Sequence, residues 1–520
     1  MRVGVHAAAA MVSTWPLVAR LGDGLPQGRE PVATVPYFNL WSIDWTARTL
    51  PHSFARWWDA PIFAPLTGSY ARSELQPATG LAYGVLRWFT SAPAAYGLLV
   101  LLALFLNGLL ANLLAHRLGA GTVMACVLGV FAQTVPFLFE QLGVLQLLML
   151  WPVLLTVYLL LEWADRPQVR TALGAGVAMA LAYLTCSYHA ALFGMAAVVC
   201  VPLLVRRSWL GEWRVRSLGA LVALIAFGVL ALPFAIGQQQ RLHDARWTEA
   251  TIHAGSANWT DLVPGGDDWV GTVVFVLAVG GVVVARRARH TWFLVSLVGV
   301  ACVVAMGTKL SLFGWRPYAF LVDHVSVVAR MRSPFRAVAL AQVLLVALAA
   351  PFVQWCWTRR NRAVRPLLAL AFVLAAMPLQ LGSGPIAVLP ADDLVWASWL
   401  RDHPGGIVAM MPMPTERPVE YFEPTSEWML QALDHGHPLV NGYTGFFPPD
   451  DRAMRERMAA FPDEATVNEL RDMGVEYVVA DSFWWDSDRD RAARALGLEP
   501  ILGGPDGVLL RVRNLSSSGN

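Results

Sequence analysis

Residues 92–115, APAAYGLLVLLALFLNGLLANLLA, decide the fold. They carry no charged side chain, and about twenty such residues in a helix cross the hydrocarbon of a bilayer. Outward from this stretch, further apolar spans lie at 3–19, 121–139, 143–162, 170–186, 188–205, 217–236, 270–285, 291–307, 335–357 and 364–381, about eleven in all. Several are short, so their ends are soft. Spans 170–186 and 188–205 are nearly continuous and must turn tightly near Ser187, Tyr188 and His189. Beyond residue 381 the pattern becomes that of a water-soluble α/β chain. The expected architecture is a polytopic α-helical membrane domain, 1–381, with a long loop at 20–91, and a C-terminal α/β domain, 382–520.

Composition agrees. The chain is 56% hydrophobic and 15% charged over 520 residues, with a mean hydropathy of +0.48, which places it in the membrane class. Lys309 is the one lysine, and the five cysteines fall in or beside apolar spans. They show neither a disulfide framework nor metal-ligand spacing and read as small packing residues. Residues 1–20 read as a first transmembrane helix; a cleaved signal is the weaker reading, because Trp15 and Pro16 interrupt the apolar run.

Arginine placement sets the topology. Loops 116–120, 163–169, 206–216, 286–290 and 358–363 all carry arginine, whereas the short turns at 140–142 and near 187 carry neither Arg nor Lys. By the positive-inside rule the arginine loops face the cytoplasm. The N-terminus is then cytoplasmic, and loops 20–91, 237–269 and 308–334 share the extracytoplasmic face with the C-terminal domain. Loops on a rigid scaffold commonly carry function, so chemistry is sought there.

In the first loop, FNLWSIDWTARTL (38–50) reads as an amphipathic helix. Trp41 and Trp45 share a face, suited to the membrane interface. Residues 76–90 read as a second interfacial helix. Asp23, Glu30, Asp44, Asp59 and Glu74 are the acids of this loop. They are either solvated or functional, as a general base on an acceptor hydroxyl or as ligands of a divalent cation such as Mg or Mn. Glu140 ends one span and His189 begins another; each is a turn side chain or a ligand contact. Loop 237–269 is polar and has no metal motif. Arg330, Arg332 and Arg336 cluster at the outer entrance of a span, against the positive-inside preference, and Lys309 joins them. They either snorkel to headgroups or bind an anion, for which guanidinium geometry is suited.

In the terminal domain strands are expected at 407–414, 437–450, 475–481 and 508–514, with helices at 424–434, 464–473 and 488–496. No Gly-rich phosphate loop occurs, which argues against a nucleotide site. Asn441, Tyr443, Phe446 and Phe447 offer either a ligand surface or internal aromatic packing.

The layout resembles the GT-C glycosyltransferases, multi-spanning enzymes that use polyprenyl-phosphate sugars. LVNGYTGFFPPD (439–450) and LRDMGVEYVVAD (470–481) are similar to the tails of bacterial relatives of the protein mannosyltransferase and arabinosyltransferase type. The resemblance implies a GT-C-like fold in the bacterial cell (inner) membrane. It also implies transfer of a sugar from a polyprenyl-phosphate donor to a lipid, glycan or protein acceptor, with no nucleic-acid partner. It implies an essential acid in the first outer loop shortly before an interfacial helix, a second acid near Glu74, and lipid-phosphate contacts at Arg332 and Arg336. Here Asp23 and Glu30 precede Trp41 at a distance and Asp44 lies inside the helix, so none stands at the family's position. A noncatalytic lipid-binding, glycan-binding or assembly protein and a transporter or flippase are the competing readings. A transporter predicts polar residues at mid-membrane depth, whereas the polar clusters here lie at the outer ends.

Overall fold

A computed structural model describes residues 2–29, 32–242, 245–359, 386–389, 394–416 and 418–513. The chain forms two compact units. One comprises Met1–Leu21 with Ala94–Pro385; the other comprises Gly22–Pro93 with Ile386–Asn520.

Among the described residues of the first unit, six helices are long and apolar enough to cross a membrane: Ala92–Arg117, Thr122–Glu140, Leu145–Asp165, Ser187–Leu204, Arg207–Arg241 and Pro334–Arg359. Val169–Thr185, Thr272–Val284 and Arg289–Ala305 are apolar but shorter, and the first helix, Arg2–Ser13, has 12 residues. This corrects the count of about eleven. At about 1.5 Å per residue, helices of this length fall short of a bilayer core about 30 Å thick. The span expected at 364–381 lies outside the described residues. Backbone geometry ends several helices early. Cys186 is extended and separates Val169–Thr185 from the next helix, and Gly271, with φ 95°, precedes Thr272–Val284.

The helices pack closely through small residues. A Cβ on Gly176 would lie 2.2 Å from the Ala223 carbonyl oxygen. At one end of the unit four of the arginine-rich loops converge on Asp165. It pairs with Arg117, with Arg206 at 2.6 Å and with His290 at 3.3 Å. At another locus, loops 237–269 and 308–334 meet in an apolar cluster around Ile252, Tyr318, Val328 and Met331.

The second unit joins the first loop to the C-terminal residues. Strand β1 (Gly24–Pro26) pairs antiparallel with β2 (Ile386–Val388), Leu25 opposite Ala387. Helix Thr34–Thr49 has Pro36 in its first turn and stops before Pro51, as proline geometry favours. It packs on helices Pro77–Arg87 and Glu423–His435. The backbone is stitched as well: Ala64 N donates to Leu439 O at 2.8 Å, and Leu439 N to Pro61 O at 3.1 Å.

These contacts change two expectations. Trp41 is fully buried and Trp45 is half-buried, donating from its indole to Trp57 O at 2.9 Å. The helix is therefore a core element, and its indoles are packed against protein. Helix Pro77–Arg87, in contrast, leaves Leu81, Val85 and the following Trp88 and Phe89 exposed. Residues 437–450 form no strand; Leu439 makes one isolated parallel bridge to Val408 through the flanking Pro438 O and Val440 N, while its own backbone groups bond Pro61 and Ala64.

The remaining sheet runs β3 (Ile407–Met411), β4 (Val475–Ala480), β6 (Gly507–Val512), β5 (Leu498–Gly504). The β3–β4 pair is parallel and the other two pairs are antiparallel. Helix Glu464–Asp472, capped by Asp463, and helix Ser487–Ala495, capped by Asp486, flank a core that includes Val467, Val478, Ala493 and Leu510. On β6 the consecutive residues Leu509 and Leu510 are both buried, so the strand is covered on both faces there, while Arg511 is exposed.

Candidate functional site

One cavity in the second unit brings charge and an apolar wall together. It has a volume of about 300 Å³, and its polar lining is Asp44, Arg48, Tyr83, Arg87, Ser91, Arg401, Gln431 and Asp434. Asp44 comes from the buried face of helix Thr34–Thr49 and is 7% exposed. Its Oδ2 meets Arg48 Nε at 2.5 Å. Arg48 also donates to Leu433 O at 2.9 Å and to Asp434 Oδ1 at 3.2 Å. Charge-assisted bonds of this kind fix both the carboxylate and the guanidinium.

Tyr83 faces the same carboxylate from helix Pro77–Arg87. Burial first, then the negative charge of Asp44, pushes its phenol well above the ordinary range. The phenol therefore stays neutral beside the carboxylate. Arg87 is half-buried and held by a bond to Thr90 O. Arg401, from the end of helix Val395–Asp402, is exposed. With three guanidinium groups and two carboxylates, the lining carries an excess positive charge. It can receive an anionic group at Arg87 and Arg401 while Asp44 accepts a hydroxyl proton or hydrogen bond.

The other described acids of the first loop, Asp23, Asp59 and Glu74, do not line this cavity. Asp23 is exposed beside β1 and Glu74 is half-buried. Asp59 Oδ1 accepts from Gly68 N at 2.7 Å, which makes it a turn-forming side chain. Glu30 lies outside the described residues. Tyr443 stands edge-on to Phe38 with ring centroids 5.4 Å apart, and Phe422 and Phe447 complete that cluster.

The basic candidates lie in the first unit. Arg330 donates to Leu242 O at 2.7 Å and Ala245 O at 3.3 Å. Arg332 and Arg336 converge on Tyr188. The Arg332 backbone N–H donates to the Tyr188 hydroxyl at 3.1 Å, and the Arg336 guanidinium lies over that ring at 4.3 Å. The Arg332 guanidinium lies over Trp247 at 5.4 Å. Lys309 donates to Ser256 O at 2.6 Å. His189 is buried with Nε2 2.9 Å from Leu147 O, a packing role. Glu140 is half-buried at the end of its helix.

Among the described residues no group of three His, Cys, Asp or Glu side chains could hold a metal ion. The Asp44 donor set is also wrong for a divalent cation, since its neighbours are guanidinium groups. The expectation of Mg or Mn finds no fit there.

Sequence reading missed Arg48, Arg87, Arg401 and Asp434. Arg48 stood four residues after Asp44, the spacing at which helical ion pairs form. Arg401 and Asp434 had no such signal, because only the tertiary fold brings them to the first loop.

No protein-family profile and no curated protein matches the chain. Solved structures do. ArnT from Cupriavidus metallidurans in the apo state is similar with a TM-score of 0.52 and 15% identity, over 98% of this chain and 97% of that one. ArnT bound to undecaprenyl phosphate gives 0.52 and 14% identity, over 100% and 99%. The Archaeoglobus fulgidus oligosaccharyltransferase, in a complex with Zn and sulfate, gives 0.49 and 13% identity, over 98% and 73%. The chain has a GT-C-like fold; identities this low establish the fold alone.

Proposed function

We propose that this protein transfers a sugar from a polyprenyl-phosphate donor to a lipid, glycan or protein acceptor at the extracytoplasmic face of the cell membrane. The GT-C-like fold supports the reading, and one similar structure, that of ArnT, is bound to undecaprenyl phosphate. The observation that carries it is the pairing of a buried carboxylate, Asp44, with Arg87 and Arg401 in one cavity.

In this reading Asp44 orients an acceptor hydroxyl and takes its proton as the oxygen attacks the anomeric carbon. Arg48 holds the carboxylate in place. The bond from the anomeric carbon to the phosphate oxygen breaks, and a guanidinium stabilises the departing prenyl phosphate. A single displacement inverts the sugar carbon. The Asp44–Arg48 ion pair favours one second reading, a noncatalytic lipid-binding or glycan-binding protein, because a carboxylate oxygen engaged by a guanidinium is not free to accept the proton of an acceptor hydroxyl.

The test uses the full chain in lipid nanodiscs with a panel of labelled undecaprenyl-phosphate sugars. Transfer that falls on changing Asp44→Asn supports the proposal. Transfer indifferent to that change removes Asp44 from the chemistry. Binding of the carriers with no turnover across the panel establishes the noncatalytic reading.

A further inference from the structure

The first unit carries a second recess, independent of the proposed transfer. It is an open cleft of about 510 Å³ where loops 206–216 and 286–290 meet, lined by Arg206, Arg207, Arg216 and Arg289 with Trp209 and Trp213.

The charges in it do not cancel. Arg216 meets Glu212 at 2.5 Å and lies over the Trp209 ring at 4.0 Å. Arg206 meets Asp165 at 2.6 Å, a carboxylate shared with Arg117. Arg289 donates one N–H to Val205 O at 2.6 Å and meets no carboxylate among the described residues. Arg207 is exposed and has no partner among the described residues. Two guanidinium groups are therefore available to an anion.

Apolar surface leads away from the same place. Ser217 lines the cleft, and Leu221 and Leu224 continue its helical face; both are exposed. They lie on helix Arg207–Arg241, which is mostly uncovered by protein. Leu210 and Trp213 are also exposed at the rim. Free phosphate would use the guanidinium groups and leave this apolar face unused. A phospholipid uses both, with indoles at headgroup depth.

We infer that this cleft binds an anionic phospholipid, its phosphate on Arg207 and Arg289 and its acyl chains along Leu221 and Leu224. Each basic side chain near a lipid phosphate contributes on the order of 1 kcal/mol, so two give at least about a tenfold preference over a zwitterionic lipid.

The purified full chain, delipidated in neutral detergent, is titrated with phosphatidylglycerol or phosphatidylcholine and read by native mass spectrometry. Inorganic phosphate is added as a competitor. Phosphatidylglycerol is expected to be retained about tenfold more tightly, and Arg207→Ala with Arg289→Ala to abolish the preference. Phosphate at the same concentration should not displace the lipid. Equal retention of the two lipids, a preference untouched by the double change, or displacement by phosphate overturns the proposal. Arg207→Gln alone, at an exposed position, serves if the double variant does not fold, and must lower the preference by itself.

Discussion

Arg48 and Asp44 stand one helical turn apart and join at 2.5 Å, while the same guanidinium reaches Asp434 at 3.2 Å. Residues from opposite ends of the chain are held by one side chain. Burial pulls the guanidinium pKa down, but Asp44 and then Asp434 outweigh it and the value is raised.

Asp44→Asn keeps the shape of the side chain and removes its basicity. Under the proposed chemistry transfer falls by about 10²–10⁴, the usual weight of a general base, with little change in melting temperature. Asp434→Asn, at a side chain 53% exposed, should alter transfer no more than about threefold, since exposed ion pairs are weak. Turnover and thermal unfolding of the two variants side by side check this.

Glu427, on helix Glu423–His435, has its pKa pushed up to about 7 by burial first and by Glu423 second. The folded state therefore disfavours its ionised form. Below about pH 4.5 the group is protonated in both folded and unfolded chains and nothing is lost. Stability declines as pH rises from there toward 7, and the full cost remains above it. Glu427→Gln should raise stability by up to about 3 kcal/mol at pH 8 and leave it unchanged at pH 4. Unfolding measured at both pH values decides.

Asp451 and Arg455 form a buried pair at 2.8 Å, with side chains 3% and 9% exposed. The guanidinium also sits over Phe422 at 5.1 Å. Asp451→Ala strands a buried cation and should cost about 3–5 kcal/mol, whereas removing both charges in favour of apolar side chains should cost less than either single change. A double-mutant cycle read by chemical unfolding measures the coupling.

Gly176→Leu should separate helices Val169–Thr185 and Trp213–Arg241, because even a Cβ would meet the Ala223 carbonyl oxygen at 2.2 Å. A melting temperature in detergent that drops by several degrees is the expected result. A volume increase at Gly299, where a Cβ meets nothing within 4 Å, is the control and should leave the melting temperature unchanged.

The six membrane-length helices and β3, β4 and β6 were legible because their signals are local, apolar length for the former and short apolar runs for the latter, whereas the shorter apolar helices were counted as spans. Thr34–Thr49 was legible as a helix and misread in its setting. Its indoles suit a membrane interface and a protein core equally well, and Trp41 lies in the core. Asp44 was visible as an acid in an apolar helix, whereas Arg401 and Asp434 were invisible as its neighbours. Leu439 illustrates the same limit: its β-like surroundings predicted a strand, yet it forms one isolated bridge to Val408, and its own backbone groups bond Pro61 and Ala64 of the distant first loop.

The β1–β2 pairing carries a consequence for biogenesis. Leu25 leaves the ribosome early, but its partner Ala387 follows only after residues 94–385 have been made. At about 5–20 residues per second, the 362 residues from Leu25 to Ala387 take roughly 20–70 s. Throughout it, the strand edge at 24–26 and the surface of helix Thr34–Thr49 that covers Glu423–His435 wait without their partners. The cavity around Asp44 is completed only when the chain is nearly finished, so a nascent chain arrested before residue 434 contains Asp44 without the assembled site.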